Sequence, residues 1–194
     1  ENMVRSFVVS LLAAVIAASP VGCRPTKQDT FWKDASRGMV LASPAFEEDA
    51  VIPARYTCSG ENISPPLTWS GAPDSVRAYV ITCIDPDAPS GSFRHWIIYD
   101  IPGSATSLPE GVSDLPELPD GGKQGLNDFG NIGYGGPCPP SGKPHHYIFH
   151  LYALDAPTGV PAGSKFIGPI LAAMRTRSQN HILAESRLFG TYGR

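Results

Sequence analysis

The chain is sparing with charge and lacks any dense cluster of one sign. Its 194 residues hold 15 Lys and Arg against 18 Asp and Glu, giving a formal net charge of −3 and a pI near 5.9. No basic stripe of the kind that neutralises a phosphate backbone is present, which sets DNA and RNA aside as partners. Cysteine is scarce: Cys23, Cys58, Cys83 and Cys138 stand far apart and form no Cys-x-x-Cys pair. The most specific sequence sign of a zinc or dithiol centre is therefore missing. The chain has no Gly-x-Ser-x-Gly elbow of the α/β-hydrolase type. Internal repeats and low-complexity tracts are absent too. The apolar run Phe7 to Ala18 is too short for a comfortable membrane span.

What the chain does have is turn chemistry. It holds 20 Gly and 20 Pro, with 42% hydrophobic and 17% charged residues. Such a composition excludes a disordered chain and points to a β-rich fold with many loops. The length suits one domain with a real core.

The first residues read as a targeting segment. Met3-Val4-Arg5 is a short basic start, Phe7 to Ala18 has the length of a signal-peptide apolar region, and Val21-Gly22-Cys23 resembles a bacterial lipoprotein cleavage box. Pro20 departs from the usual Leu of that box, so an ordinary secretory signal stays open beside the lipoprotein one. On this reading residues 1–22 are the signal, Cys23 is the lipidation candidate, 23–37 form a polar linker and 38–194 the folded domain. The protein is then exported and held at a membrane facing the periplasm or cell exterior. Export makes a disulfide plausible. Cys83 lies inside an apolar strand, whereas Cys58 and Cys138 lie in or beside Gly/Pro-rich loops, so Cys58 and Cys138 are the candidate pair.

Three segments read as strong strands. Ala78 to Ile84 is almost continuously apolar and β-branched, so buried on both faces. His95 to Ile101 follows after a short loop, which suggests antiparallel neighbours. His145 to Leu154 alternates, with His145, Tyr147, Phe149 and Leu151 on one face and His146, Ile148, His150 and Tyr152 on the other. Shorter extended pieces are expected at Met39 to Leu41, Ala50 to Pro53, Arg55 to Cys58 and Leu67 to Trp69. Residues 169–175 read as a helix with Pro169 in its first turn, and 181–190 as either helix or strand, with Phe189-Gly190-Thr191-Tyr192 favouring a closing strand. Between the first two strong strands lies Asp85-Pro86-Asp87-Ala88-Pro89, two carboxylates held by two prolines at a strand end. The pairing puts Asp85, Asp87 and His95 at the same end of the sheet. Residues 102–144 are mostly loop, and loops this long in a compact domain tend to carry function. Within it, Gly136 and Cys138 keep backbone N–H groups among prolines and suit a small anion nest.

Five segments, in their order and spacing, resemble the phosphatidylethanolamine-binding protein family, and within it the bacterial Raf-kinase-inhibitor-like branch. They are Asn62-Ile63-Ser64-Pro65-Pro66-Leu67-Thr68-Trp69, Asp85-Pro86-Asp87-Ala88-Pro89, His95-Trp96, Gly133-Tyr134-Gly135-Gly136-Pro137-Cys138-Pro139-Pro140 and His145-His146-Tyr147-Ile148-Phe149. The resemblance runs from about Met39 to Arg194. It implies a mainly antiparallel β fold with one or two short helices near the C-terminus, and an anion pocket. Carried onto this chain, the ligand-binding residues are Asp85, Asp87, His95, the amides near Gly136 and Cys138, His145 and Tyr147. Two departures stand out. His146 takes a place where the family commonly has Arg, and the chain between Met174 and His181 is several residues longer than in its relatives.

Several chemistries compete for these residues. Two Asp and two His have the composition of a metal site, but the resemblance carries no metal. His146 and His150 have metal-like spacing only on a helix, because four strand residues span roughly 13 Å. A weak hydrolase using Cys138 and His145 is a further reading, opposed by the flanking prolines and the candidate disulfide. The favoured reading is non-catalytic binding of a small anion or phospholipid headgroup, with no cofactor. The His rings, loop amides and Tyr147 hydroxyl donate. The carboxylates orient the imidazoles or meet the ammonium of a zwitterion, and Asp87 alternatively braces its own loop. Carboxylates beside the rings are expected to raise a His pKa, so that binding strengthens as pH falls towards about 6. The pocket rim binding a protein, as kinase- or protease-inhibiting relatives do, is the reading of a different class.

Overall fold

Strand β4 (Ala78–Asp85) sits at the centre of a six-stranded sheet and is buried along nearly its whole length. It pairs antiparallel with β5 (Phe93–Pro102) on one side and with β8 (His145–Leu154) on the other. Beyond β8 runs β9 (Ile182–Tyr192), antiparallel over eleven residues, and then β2 (Ala50–Val51), parallel to β9. β7 (Lys123–Gln124) closes the β5 edge. A second sheet of three short antiparallel strands has the order β1 (Val40–Ala42), β3 (Leu67–Ser70), β6 (Ser107–Leu108). The computed structural model describes residues 38–164, Gly168, Ile170, Ala172 and 181–194. The expected leader and Cys23 lie outside the described residues. So does most of the helix expected over 169–175, of which Ile170 and Ala172 are described and helical. No helix among the described residues is long and apolar enough to cross a membrane.

The strands form where the pattern demands, and their two faces bury against different partners. Tyr79, Ile81 and Cys83 of β4 face a core shared with Leu41, Leu67, Trp69 and Leu108 of the small sheet. The Trp69 and Tyr79 rings meet edge to face with centroids 5.3 Å apart. Val80 points the other way, into a smaller cluster with Ile97, Tyr99, Tyr152, Leu154 and the helical Ile170. A strand covered on both sides has no reason to alternate with polar residues, which explains its continuous apolar run. β8 sorts as its alternation predicts: Tyr147, Phe149 and Leu151 enter the larger core, and Tyr152 and Leu154 the smaller.

One short extended piece is corrected. Arg55 to Cys58 is not a strand: Ala54–Tyr56 form a 3-10 turn begun by Pro53, with Thr57 and Cys58 following it. The fixed φ of Pro53 starts such a turn readily, and the Tyr56 N–H bonds back to the Pro53 carbonyl at 2.9 Å.

The pairing of β4 with β5 contains an irregularity that shapes the site. Cys83 lies opposite Trp96, but Ile84 lies opposite Arg94. His95 is therefore the extra residue of a β-bulge. Bulges re-aim side chains. Here Trp96 and its neighbour His95 both reach the larger core's side, where the His95 ring meets Tyr147 edge to face at 5.1 Å.

Candidate functional site

Asp85 ends β4 and is 3% exposed, a buried carboxylate with both oxygens committed. Oδ1 accepts the Asp87 N–H at 2.8 Å and so caps its own turn. Oδ2 accepts a hydrogen bond from His145 Nδ1 at 2.8 Å. A carboxylate accepts, so His145 Nδ1 carries the hydrogen and Nε2 is the atom left for a ligand.

His95 reaches the same condition from another strand. Its Nδ1 donates to the Gly135 carbonyl at 2.6 Å, and the Gly135 N–H donates back to the His95 carbonyl at 2.8 Å. A carbonyl cannot donate, so here too Nδ1–H is fixed and Nε2 remains. Burial holds the His95 pKa below the ordinary imidazole value, outweighing the Gly135 carbonyl and Asp85, which act in the opposite direction. That reverses the rise expected from nearby carboxylates, because desolvation of a buried ring is the larger effect.

Between these rings lies a cavity of about 260 Å³. Its polar wall is Asp85, Ser90, His95 and His145, and its apolar wall includes Ala88, Pro89, Phe93, Phe129, Pro139 and Pro140. Cys138 also lines it and is joined to Cys58 in a disulfide. A sulfur held in that bond is no nucleophile, which removes the thiol-hydrolase chemistry from this state of the molecule.

The other residues singled out in the sequence sit around this cavity rather than in its wall. Tyr147 is fully buried with its ring against His95. Among the described residues, its hydroxyl has no hydrogen-bond partner at ordinary distance and angle. Burial first, and the Asp85 carboxylate second, nevertheless push its pKa well above the usual phenol, while the Cys138 amide acts the other way. The Gly136 N–H, one of the two amides read as an anion nest, donates instead to Asn62 Oδ1 at 2.8 Å. Asp87 lies on the outer side, where its carboxylate accepts the His146 N–H at 2.8 Å and His146 Nδ1 at 2.6 Å. Those bonds, the backbone one first, lower the Asp87 pKa. The fold thus divides the two carboxylates: Asp85 orients a cavity histidine, and Asp87 ties its loop to β8.

Three contributors were not visible as such in the sequence. Asn62 adopts φ 59°, a conformation that Asn tolerates better than most residues, and reaches across 74 positions to Gly136. Phe93 and Phe129 supply the aromatic wall, their ring centroids 4.8 Å apart and edge to face. The only signal for Phe129 was its place between Asp128 and Gly130 in a punctuated loop. Among the described residues, no group of three or more metal-binding side chains converges.

Comparison with known proteins yields consistent matches. A family model for phosphatidylethanolamine-binding protein matches residues 42–193. The UPF0098 protein of Methanothermobacter thermautotrophicus is 49% identical over 157 residues, covering 80% of this chain and 99% of that protein. The crystal structure of a candidate phosphatidylethanolamine-binding protein homolog, CT736 of Chlamydia trachomatis, has a TM-score of 0.71 at 36% identity, over 82% of this chain and 99% of that one. A candidate lipoprotein of Mycobacterium tuberculosis, LppC, is 36% identical over 159 residues, 81% of this chain and 74% of its own.

Proposed function

The chain belongs to the phosphatidylethanolamine-binding protein family, and on that premise we propose that its cavity binds small anionic or phospho-headgroup ligands without altering them. The observation that carries this reading is the matched state of His95 and His145. Each ring gives Nδ1–H to the protein and keeps Nε2 for the cavity they share. When protonated, both Nε2–H groups donate to one anion, and charge-assisted bonds of this kind are roughly twice as strong as neutral ones. Asp85 holds the His145 ring in place through its Nδ1–H. Tyr147 supports the His95 ring from outside the cavity wall, Cys138 lines the cavity, and Gly136 and Asp87 keep the loops in place.

The test is thermal. Phosphorylethanolamine is expected to raise the melting temperature in a concentration-dependent way. His145→Ala is expected to abolish that shift. An equal shift in the variant sinks the assignment of this cavity.

We further propose that the protein is exported and anchored through Cys23. The Val21-Gly22-Cys23 box supports this, as does the similarity to a candidate lipoprotein. Mass spectrometry of the mature N-terminus is expected to find an acylated Cys23. An unprocessed chain removes the anchor.

A further inference from the structure

A second opening, of about 420 Å³, lies between β1 and β9 and shares no residue with the anion cavity. Met39, Leu41, Phe46 and Leu188 line it from below, and all four are buried in the larger core. The Leu41 N–H donates to Ser186 Oγ at 3.0 Å, which ties β1 to β9 and fixes this floor. One wall is Val40, which is 56% exposed and among the few large apolar side chains in that state. The lip is acidic. Glu47 and Glu48 line it, Asp49 follows, and Glu48 accepts the Phe189 N–H at 3.2 Å. The one cation among the lining residues, Arg187, directs its Nε–H to His150 Nε2 at 3.4 Å.

The groove starts where the folded domain starts, because Met39 is the first of its lining residues. Residues 24–37 stand immediately upstream in the sequence. They carry Arg24, Lys27, Lys33 and Arg37 against Asp29 and Asp34, a net charge of +2. Their only large apolar side chains are the neighbours Phe31 and Trp32. Two adjacent rings bury much apolar area when they pack, and a polar segment offers them no partner of its own. Trp32 is six residues from Gly38, so at about 3.3 Å per residue it reaches up to about 20 Å from the start of the domain.

From this juxtaposition we infer that the β1–β9 groove is the docking site of this chain's own Phe31-Trp32 segment. The rings pack against Val40 over the apolar floor, and the flanking basic residues meet Glu47 and Glu48. A short tether holds its segment at an effective concentration on the order of mM, so a contact too weak to capture a separate peptide is still filled. Under the anchor proposed above, docking leaves only residues 24–30 as free tether, about 23 Å when extended. The segment then acts as a strap that keeps the domain close to the membrane and fixes which face it turns outward. The docking itself does not depend on lipidation.

Iodide quenching of tryptophan fluorescence tests the inference on the full chain in phosphatidylcholine vesicles. The chain has three Trp, and Trp69 and Trp96 are buried, so the solvent-dependent signal belongs to Trp32. The intact protein is expected to be quenched weakly. Val40→Lys and Glu47→Lys, both at exposed positions, are each expected to raise the quenching constant severalfold. Adding Trp32→Phe to either is expected to return it to the low value, whereas an unfolded variant stays quenched through Trp69 and Trp96. Strong quenching of the intact protein overturns the inference. Protection that survives both Lys substitutions places Trp32 in the bilayer or on another surface and overturns it too. Protection lost when the protein is diluted into more lipid makes a second copy the occupant, against docking within one chain.

Discussion

His145 reaches across from β8 to give its Nδ1–H to Asp85 at 2.8 Å, joining the start of one strand to the end of its neighbour, with both side chains nearly excluded from solvent. The same carboxylate also holds the Asp87 amide. One buried group therefore determines both the ring orientation and the loop conformation.

Asp85→Ala is expected to destabilise the protein by about 3–6 kcal/mol, since hydrogen bonds to charged groups are worth roughly 1.5–3 kcal/mol each and two are lost. Asp85→Asn keeps one side-chain oxygen as an acceptor and is expected to lose about half as much. Urea denaturation of the three proteins gives the comparison. Equal stability in all of them contradicts the double role.

Acid is expected to act in opposite directions on stability and on ligand binding. His95 has a depressed pKa in the fold, whereas the unfolded ring titrates near 6.5. Between those values the unfolded chain binds more protons, so stability contributed by neutral His95 is lost as pH falls below about 6.5. Asp87 and Asp128 have lowered pKa values. For Asp128, burial raises the value but is outweighed by the bonds from Arg94. Their contribution is present above about 3.9 and is lost as pH falls through their folded values, a lower window. On the proposed reading, anion affinity is expected to rise over the range where His95 takes up its proton. Urea denaturation and phosphate titration at pH 5 and 7.5 check both signs, and His95→Gln is expected to flatten each slope.

Gly136→Ala tests the seat of the cavity wall. An added Cβ would lie 2.4 Å from the Tyr56 carbonyl oxygen and 2.6 Å from Asn62 Oδ1. Backbone cannot swing aside as a flexible side-chain tip can, so a loss of about 1–3 kcal/mol is expected from overpacking. Thermal unfolding measures it. A variant as stable as the parent shows that this approach is looser than the distances imply.

The Cys58–Cys138 disulfide spans a sequence separation of 80 residues. Replacing both with Ser is expected to lower stability by about 2–5 kcal/mol. Hydrogen bonds that do not depend on it still hold the loop upstream, among them Cys58 N–H to the Pro137 carbonyl at 3.1 Å and Tyr134 Oη to the Tyr56 carbonyl at 2.8 Å. The double variant should therefore fold, with weakened phosphate binding because Cys138, Pro139 and Pro140 line the cavity. Denaturation and titration under oxidising and reducing conditions compare the two proteins. A parent whose melting point does not respond to reductant argues against the bond's contribution.

The local pattern by itself determined much of this molecule. Continuous apolar residues marked β4 as a strand covered twice, and alternation sorted His145 and Tyr147 from His146. Five spaced motifs carried the family. These are properties of a strand and its own side chains, so they are written in sequence order. The tertiary structure decided what depends on pairing. A bulge belongs to two strands at once, and nothing near His95 in the chain announces that it is the extra residue. Asp85 and Asp87 look equivalent until the ends of β4 and β8 meet and send one to His145 and the other to His146. The Gly136 amide looked free because its acceptor, Asn62, lies 74 residues away. Phe129 was one residue of the long loop over 102–144 until Gly135 and Phe93 met its ring. Long-range hydrogen bonds and ring contacts select among residues that local chemistry leaves alike, and for that reason the composition of the site was legible early and its division of labour only in three dimensions.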